Sequence, residues 1–343
     1  MAQVAGVQVA PGRLFSASEA EIRRGLASDV YFARSYDILS SLGLTGTRVV
    51  CDVFAGGAGI LSGVEEAKEL LLPHVEAMWA LPEGSTFEER EVVLRVAGPW
   101  DRFGVFETSV LGALAQASGW ATAARECREA APDALMFSFG ARHVHPAVAS
   151  VLDRAALVGG FDGASSILGA RLMGQDPVGT VPHALCLIVG DSVKVARVLA
   201  EHAVAPGRSM LVDTFHDEAE EAVRVADALG DALDGVRIDT PRERGGVTAD
   251  LVRELRARLD QAGHRHVRIF CSGSLNPARI AELHAAGADA FGVGHFVSSR
   301  APIDMTMDVK EVEGRPLAKR GRIPGVKPAP RLVRVDSRQP SRG

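Results

Sequence analysis

From residue 133 to residue 300 the chain repeats one beat: a short apolar run, a glycine or polar break, then an amphipathic stretch, about seven times over. The apolar runs fall at 134–139, 155–160, 178–181, 209–213, 235–238, 267–271 and 288–292. Helix-like stretches such as 217–229, 248–259 and 276–286 lie between them. This alternation is read as βα repetition. A spacing of about 24 residues suffices for a strand, its loop and a returning helix, and right-handed crossovers of that kind build a parallel sheet. Seven units favour a closed or nearly closed barrel. Continuous apolar stretches at 210–212 and 269–270 suit strands buried on both faces better than an alternating pattern would.

The first ~110 residues have a different texture. Residues 28–42 carry helical spacing, 48–54 read as a strand, 63–72 as a helix, 81–85 as a turn and 92–96 as another strand, which makes a mixed α+β unit. After Pro302 the pattern turns to strand and loop. From Lys319 onward the tail holds eight basic residues against one acidic residue, with four prolines, the composition of a solvated or partner-packed extension.

Composition narrows the class. With 343 residues, 47% hydrophobic and 24% charged, the chain is a folded protein long enough for one large and one smaller domain. The formal net charge of -5 provides no bulk field to draw it to nucleic acid or anionic lipid. No apolar run approaches the roughly 18 to 20 residues that span a bilayer, and residues 1–15 do not read as a signal peptide, so a cytoplasmic protein is expected. Cys51, Cys127, Cys186 and Cys271 lie at no metal-ligand spacing, so zinc is not expected.

In a parallel barrel the chemistry gathers at the C-terminal ends of the strands. The runs end in Phe139-Gly140-Ala141-Arg142-His143, in Phe161-Asp162-Gly163-Ala164-Ser165-Ser166, in Gly179-Thr180-Val181-Pro182-His183, in Asp213-Thr214-Phe215, in Arg237-Ile238-Asp239-Thr240, in Ser272-Gly273-Ser274 and in Gly292-Val293-Gly294. A Gly-x-Gly turn is compatible with plain loop geometry, yet two Gly-rich turns on the last strands would aim backbone amides at one anion. Arg237 and Asp239, two apart, would face the same way, either as a structural ion pair or as site residues. Arg142 offers the planar fork that suits a carboxylate or phosphate. His183 is either a structural histidine or one that faces the site. Lys194 is the only lysine between residues 130 and 309 and lies in a helical stretch, which argues against Schiff-base chemistry. No GxxxxGK[ST] loop and no strand-following GxGxxG occurs. A phosphorylated, anionic ligand is expected, held by arginines and backbone amides, with aspartates for Mg²⁺ or a sugar hydroxyl.

With these residues assembled, the chain resembles the nicotinate phosphoribosyltransferases of archaea and some bacteria, within the type II phosphoribosyltransferases. The resemblance rests on SDVYF (28–32), GPWDRFGVFETSVLG (98–112), FGARHVHPAV (139–148), GGFDGASSILG (159–169), PVGTVPHAL (177–185), LVDTFHDE (211–218), RIDTPRERGG (237–246), CSGSLN (271–276), FGVG (291–294) and KRGR (319–322). It implies an irregular α/β barrel, placed at 111–302, joined to an N-terminal α/β sandwich domain at 1–110 that 303–343 completes. It implies an ATP-coupled transfer of phosphoribosyl from phosphoribosyl pyrophosphate to nicotinate in NAD salvage, by a homodimer with sites shared between subunits. By the same resemblance Tyr31 reaches across the dimer and, with Phe139, sandwiches the pyridine ring. Arg237 and Thr180 hold the carboxylate, and Arg142 lines the pocket. Asp213 and Asp239 position ribose and Mg-pyrophosphate, and His183 is the histidine that ATP phosphorylates. Ser272, Gly273, Ser274, Gly292 and Gly294 bind phosphate.

Neutral Ser165 stands where relatives that use nicotinamide carry an acidic residue, so the acid is expected over the amide. Three positions depart from the family pattern: His143 for a second arginine, Ser274 in place of a glycine and His295 in place of a threonine, all bearing on phosphate binding. Relatives also carry a four-cysteine zinc module after the KRGR region, which this sequence lacks, so Mg²⁺ alone is the expected metal. The rival readings are a decarboxylating quinolinate phosphoribosyltransferase, a non-catalytic ligand-binding relative and, from His143-Val144-His145, a metal-dependent amidohydrolase-type barrel.

Overall fold

A computed structural model of the chain describes residues 7, 12–202 and 208–335. The end of the basic tail, 336–343, and most of residues 1–11 lie outside the described residues. Two compact units emerge, Met1–Thr122 with Ala301–Gly343, and Ala123–Arg300. The division falls inside the long helix Glu107–Ala130.

In chain order the strands of the described residues are β1 (Arg48–Ala55), β2 (Gly59–Ile60), β3 (Ala77–Ala80), β4 (Thr86–Phe87), β5 (Val92–Pro99), β6 (Leu135–Ser138) and β7 (Gly163–Ala164). They continue with β8 (Ser209–Leu211), β9 (Gly235–Ile238), β10 (Arg268–Ser272), β11 (Ala290–Val293), β12 (Met305–Val312), β13 (Arg315–Pro316) and β14 (Val333–Val335).

In the first unit six strands form a sheet in the order β13-β12-β1-β5-β3-β14, and β2 pairs with β4. Alternation sorts β1 into two faces. Cys51, Val53 and Ala55 enter a core with Met78, Leu94, Val96, Leu71, Phe103 and Leu114. Asp52 lies on the other face, directly opposite Arg95 on β5 and Asp308 on β12. There Asp52 pairs with Arg95 at 2.6 Å, while Asp308 pairs with Lys319 and Arg322, whose guanidinium lies 4.8 Å from the centre of the Phe54 ring. Basic residues of the tail thus find acidic partners within their own unit.

The second unit is built on a parallel sheet in the order β7-β6-β11-β10-β9-β8, an incomplete barrel. Its outer helices start where side chains can cap them. Asp217 accepts from the amide of Ala219, Thr248 from that of Leu251 and Asn276 from that of Arg279. Apolar positions such as Val252, Leu255 and Leu259 then recur at helical spacing toward the sheet.

Two of the seven expected strands are corrected. Residues 155–158 belong to the helix Ala149–Val158, because Leu152, Ala155 and Ala156 form one buried helical face. Residues 178–181 run without a ladder: Val178 donates to Ala164 beside β7, but Pro177 and Pro182 bracket the segment. Consequently His183 does not end a strand but opens the helix His183–Val189, with Pro182 as its cap. Six parallel strands remain, the second of them only two residues long.

Candidate active site

The strand register brings the C-terminal ends to one level: Ser272 pairs with Gly292, Cys271 with Ile238, and Val293 with Ser138. Arg237, the one inward polar side chain of β9, is the hub. Its Nε donates to Ser272 Oγ, its Nη1 to Thr180 Oγ1 and its Nη2 to Asp239 Oδ2, each at 2.9 Å. Ser272 Oγ in turn lies 3.0 Å from Asp239 Oδ1, so the two carboxylate oxygens of Asp239 take separate donors. Burial pulls the Arg237 guanidinium below its usual range, opposed by the charges of Asp239 and Asp213.

A second pair stands beside this network. His183 Nε2 lies 3.1 Å from Asp213 Oδ2. The Asp213 side chain is 1% exposed and its Oδ1 has no partner among the described residues. Burial therefore raises its carboxyl above the usual range, and the His183 contact only partly offsets this. Coulombic interaction couples Asp213 to both Asp239 and Arg237, so Arg237, Asp239 and His183 belong to one electrostatic neighbourhood.

Phe139, directly after β6, packs its ring on β11: a Cβ at Gly292 would lie 2.5 Å from the ring, so only glycine admits it. The Arg237 guanidinium stands 5.1 Å from the centre of the same ring. A cavity of about 550 Å³ opens here, lined by Phe139, Arg142, Ser165, Thr180 and Arg237 among others, with no acidic side chain in its wall. Arg142 is exposed and has no ion-pair or hydrogen-bond partner among the described residues. Asp213, Asp239, His183 and the turns at 272–274 and 292–294 do not line this cavity. At the first turn Gly273 approaches Asp239 Oδ1, and Ser274 takes a left-handed φ of 51°. Tyr31 is on the helix Val30–Ser41 of the first unit, 56% exposed and beside Phe32.

One part of the site was not anticipated. Asp153 is fully buried on the helix Ala149–Val158 and accepts from Ser138 Oγ at 2.6 Å and from Ser166 Oγ. This ties the end of β6 to the loop that carries Ser165, whose amide donates to the Ser138 carbonyl. An aspartate on the apolar face of a helix is the signal for such a link, but it is legible only once 149–158 is read as helix.

Asp213 suits a hard oxygen-seeking cation, having one unsatisfied carboxylate oxygen, whereas both oxygens of Asp239 are engaged. Among the described residues no three His, Cys, Asp or Glu side chains cluster as metal ligands. Asp213 Oδ1 is thus the carboxylate oxygen here that is open to a cation.

An N-terminal domain with a C-terminal half-barrel of parallel strands is the scaffold of the type II phosphoribosyltransferases. The family model described as quinolinate phosphoribosyl transferase, N-terminal domain, matches residues 29–118, and its C-terminal counterpart matches 120–308. The chain belongs to this family. It is 32% identical over 248 residues to nicotinate phosphoribosyltransferase pncB1 of Mycobacterium tuberculosis, covering 69% of this chain and 54% of that protein. It is 23% identical over 269 residues to the probable nicotinate-nucleotide pyrophosphorylase (carboxylating) of Methanothermobacter thermautotrophicus, covering 77% and 90% of the two. The crystal structure of nicotinate-nucleotide pyrophosphorylase from Pyrococcus furiosus superposes with a TM-score of 0.84 at 44% identity, covering 92% of this chain and 82% of that one. The chain spans about half the length of the nicotinate phosphoribosyltransferases it matches. No helix among the described residues is long and apolar enough to cross a membrane.

Proposed function

We infer that this chain transfers phosphoribosyl from phosphoribosyl pyrophosphate to nicotinate, giving nicotinate mononucleotide and pyrophosphate, a step of NAD biosynthesis. The carrying observation is the charge count of the 550 Å³ cavity. Arg237 is already matched by Asp239, so among the described residues Arg142 is the one unmatched cation in its wall. One free cation suits a ring with one carboxylate; nicotinamide has none, and the second carboxylate of quinolinate would be left without a counter-charge. Neutral Ser165 in the same wall does not repel an acid.

In this reading the pyridine ring lies by Phe139, with Arg142, Thr180 and Arg237 around its carboxylate. Asp239 faces the anomeric carbon, where positive charge develops as pyrophosphate leaves, and the fixed Arg237–Asp239–Ser272 network spares reorganisation. Asp213 and Asp239 hold ribose and Mg-pyrophosphate; bound magnesium would neutralise the leaving group. Ser272, Gly273, Ser274, Gly292 and Gly294 offer hydroxyls and amides to phosphate. ATP coupling enters through His183. The His183 side chain is 42% exposed, and in the tautomer that gives Nε2–H to Asp213, Nδ1 would keep the lone pair that takes the γ-phosphoryl group as ADP departs. A homodimer that brings Tyr31 of a second copy to the ring is supported by apolar side chains left exposed on the second unit: Ile167, Leu168 and Leu172 on one helix, Leu187 and Ile188 on another.

The second reading, decarboxylating transfer to quinolinate, is favoured by the description of the matching family models. Product analysis with nicotinate, nicotinamide and quinolinate side by side separates the two. Conversion of nicotinate, with nicotinamide nearly untouched and no CO₂ released from quinolinate, is expected. CO₂ release with quinolinate as the better substrate would overturn the assignment.

A further inference from the structure

One acid of the second unit belongs neither to the Arg237 network nor to the wall of the cavity. Asp153 is fully buried and shares the apolar face of the helix Ala149–Val158 with Leu152, Ala155 and Ala156. Its Oδ1 accepts from Ser138 Oγ at 2.6 Å and its Oδ2 from Ser166 Oγ. Burial holds its carboxyl above the usual range, opposed by those two hydroxyls and by the Ser166 amide. A leucine or alanine would fill this helix face with no charge to desolvate, so the acid is a costly choice for packing alone.

What it holds are the two sides of the 550 Å³ cavity. Ser138 ends β6 and is followed at once by Phe139, whose ring forms one side. Ser166 comes directly after Ser165 on the other side and caps the helix Ile167–Leu172 by accepting from the Gly169 amide. The main chain joins the two serines as well, through the Ser165 amide and the Ser138 carbonyl at 3.1 Å. Gly169 lets the second helix close over the acid: a Cβ there would lie 2.5 Å from both Asp153 Oδ2 and Ser166 Oγ. A serine hydroxyl by itself turns among staggered positions, whereas two that give their protons to one carboxylate are fixed relative to each other.

We propose that Asp153 is a positioning residue for the base: through Ser138 and Ser166 it sets the separation of Phe139 and Ser165 that grips a pyridine carboxylate. The proposal rests on the phosphoribosyl transfer inferred above and adds to it a residue that touches no substrate. Its hydrogen bonds share no residue with those of Arg237, Asp239 and Ser272, or with the His183–Asp213 pair. Loosening Asp153 therefore weakens the grip on the base and spares the groups assigned to ribose and diphosphate.

Asp153→Asn keeps the shape of the side chain but puts a donor where one oxygen only accepted, so one of the two serines loses its acceptor. Steady-state kinetics of the full chain, with nicotinate and phosphoribosyl pyrophosphate each varied, reads the consequence. The KM for nicotinate is expected to rise about tenfold, while the KM for phosphoribosyl pyrophosphate stays within about twofold and kcat per folded molecule within about threefold. An acid that only supported the fold would instead lower the thermal unfolding midpoint and leave both KM values alone. That result, or an equal rise in the two KM values, overturns the proposal. Should Asp153→Asn fail to fold, Ser138→Ala removes one hydroxyl and is expected to raise the nicotinate KM alone, by about threefold; an unchanged ratio of the two KM values overturns the proposal. A wild type that uses quinolinate in place of nicotinate would refute the choice of base only, since the same split between base and donor is then expected with quinolinate, and its absence overturns the role of Asp153. A wild type that transfers to neither base overturns both.

Discussion

Two aspartate–arginine pairs, one within strands and one at a strand's end, do different things in this protein. In the first unit Asp52 and Arg95 face each other across β1 and β5, joined by bonds of 2.6 and 3.0 Å, with side chains 4% and 13% exposed. The pair lies in mid-strand, and Arg95 Nη2 also donates to the Lys327 carbonyl. In the second unit Arg237 and Asp239 are two apart on one chain at the end of β9, where Asp239 is 25% exposed and each group divides its bonds among several partners. A bidentate pair closed by main chain spends its charge on itself. A pair at a strand end, opened out over Ser272 and Thr180 beside a cavity, keeps a fixed field at a place that ligand can reach.

The largest test of that contrast is Asp239→Ala. Transfer is expected to fall by about a thousandfold in kcat, because charge developing at the anomeric carbon loses its carboxylate. Circular dichroism should show a folded protein, since Arg237 keeps Ser272 and Thr180. Retained turnover would mean that the pair is structural, like the one in the first unit. Next in size is Asp52→Ala, which strands the Arg95 guanidinium in a nearly buried position and should cost about 3 kcal/mol of stability in urea denaturation. The kcat per folded molecule is expected to stay unchanged. A large loss of kcat there, with stability intact, would erase the distinction.

The contrast also explains what could be read from the residues alone. Arg237 lies on β9 and Asp239 directly follows it, in a stretch where a spacing of two suffices to place them together. Asp52 and Arg95 are 43 residues apart, and only the antiparallel register of β1 and β5 makes them neighbours. Local periodicity likewise served well for β9, β10 and the helices Glu218–Leu229, Ala249–Gln261 and Pro277–Ala285, each marked by a cap and an apolar stripe. It misled at 155–160, where an alanine-rich helix face looks like a buried strand, and at 178–181, where two prolines forbid the ladder that the apolar residues suggest. His183 reached Asp213 all the same, since the segment that follows Thr180 starts a helix at the rim instead of ending a strand there. The serines that hold Asp153 were hidden by the same misread helix.

A third kind of acid, half-buried with no arginine to meet it, gives the smallest test. Glu107 opens the helix Glu107–Ala130, and burial pushes its carboxyl from 4.5 up to about 7, helped by Asp308 and opposed by Lys319. A carboxyl with a raised folded-state pKa is bound to its proton more tightly in the native protein than in the unfolded chain. Its contribution to stability is fully present below pH 4.5 and is lost as pH rises to about 7. After allowance for solvent screening the loss should be about 1 to 2 kcal/mol. Glu107→Gln cannot ionise, so its stability relative to wild type should climb by that amount between pH 4.5 and about 7 and then level off. Parallel denaturation curves for the two proteins across that window would show that Asp308 and Lys319 already balance the charge, and that an unpaired acid in this unit behaves no differently from the paired Asp52.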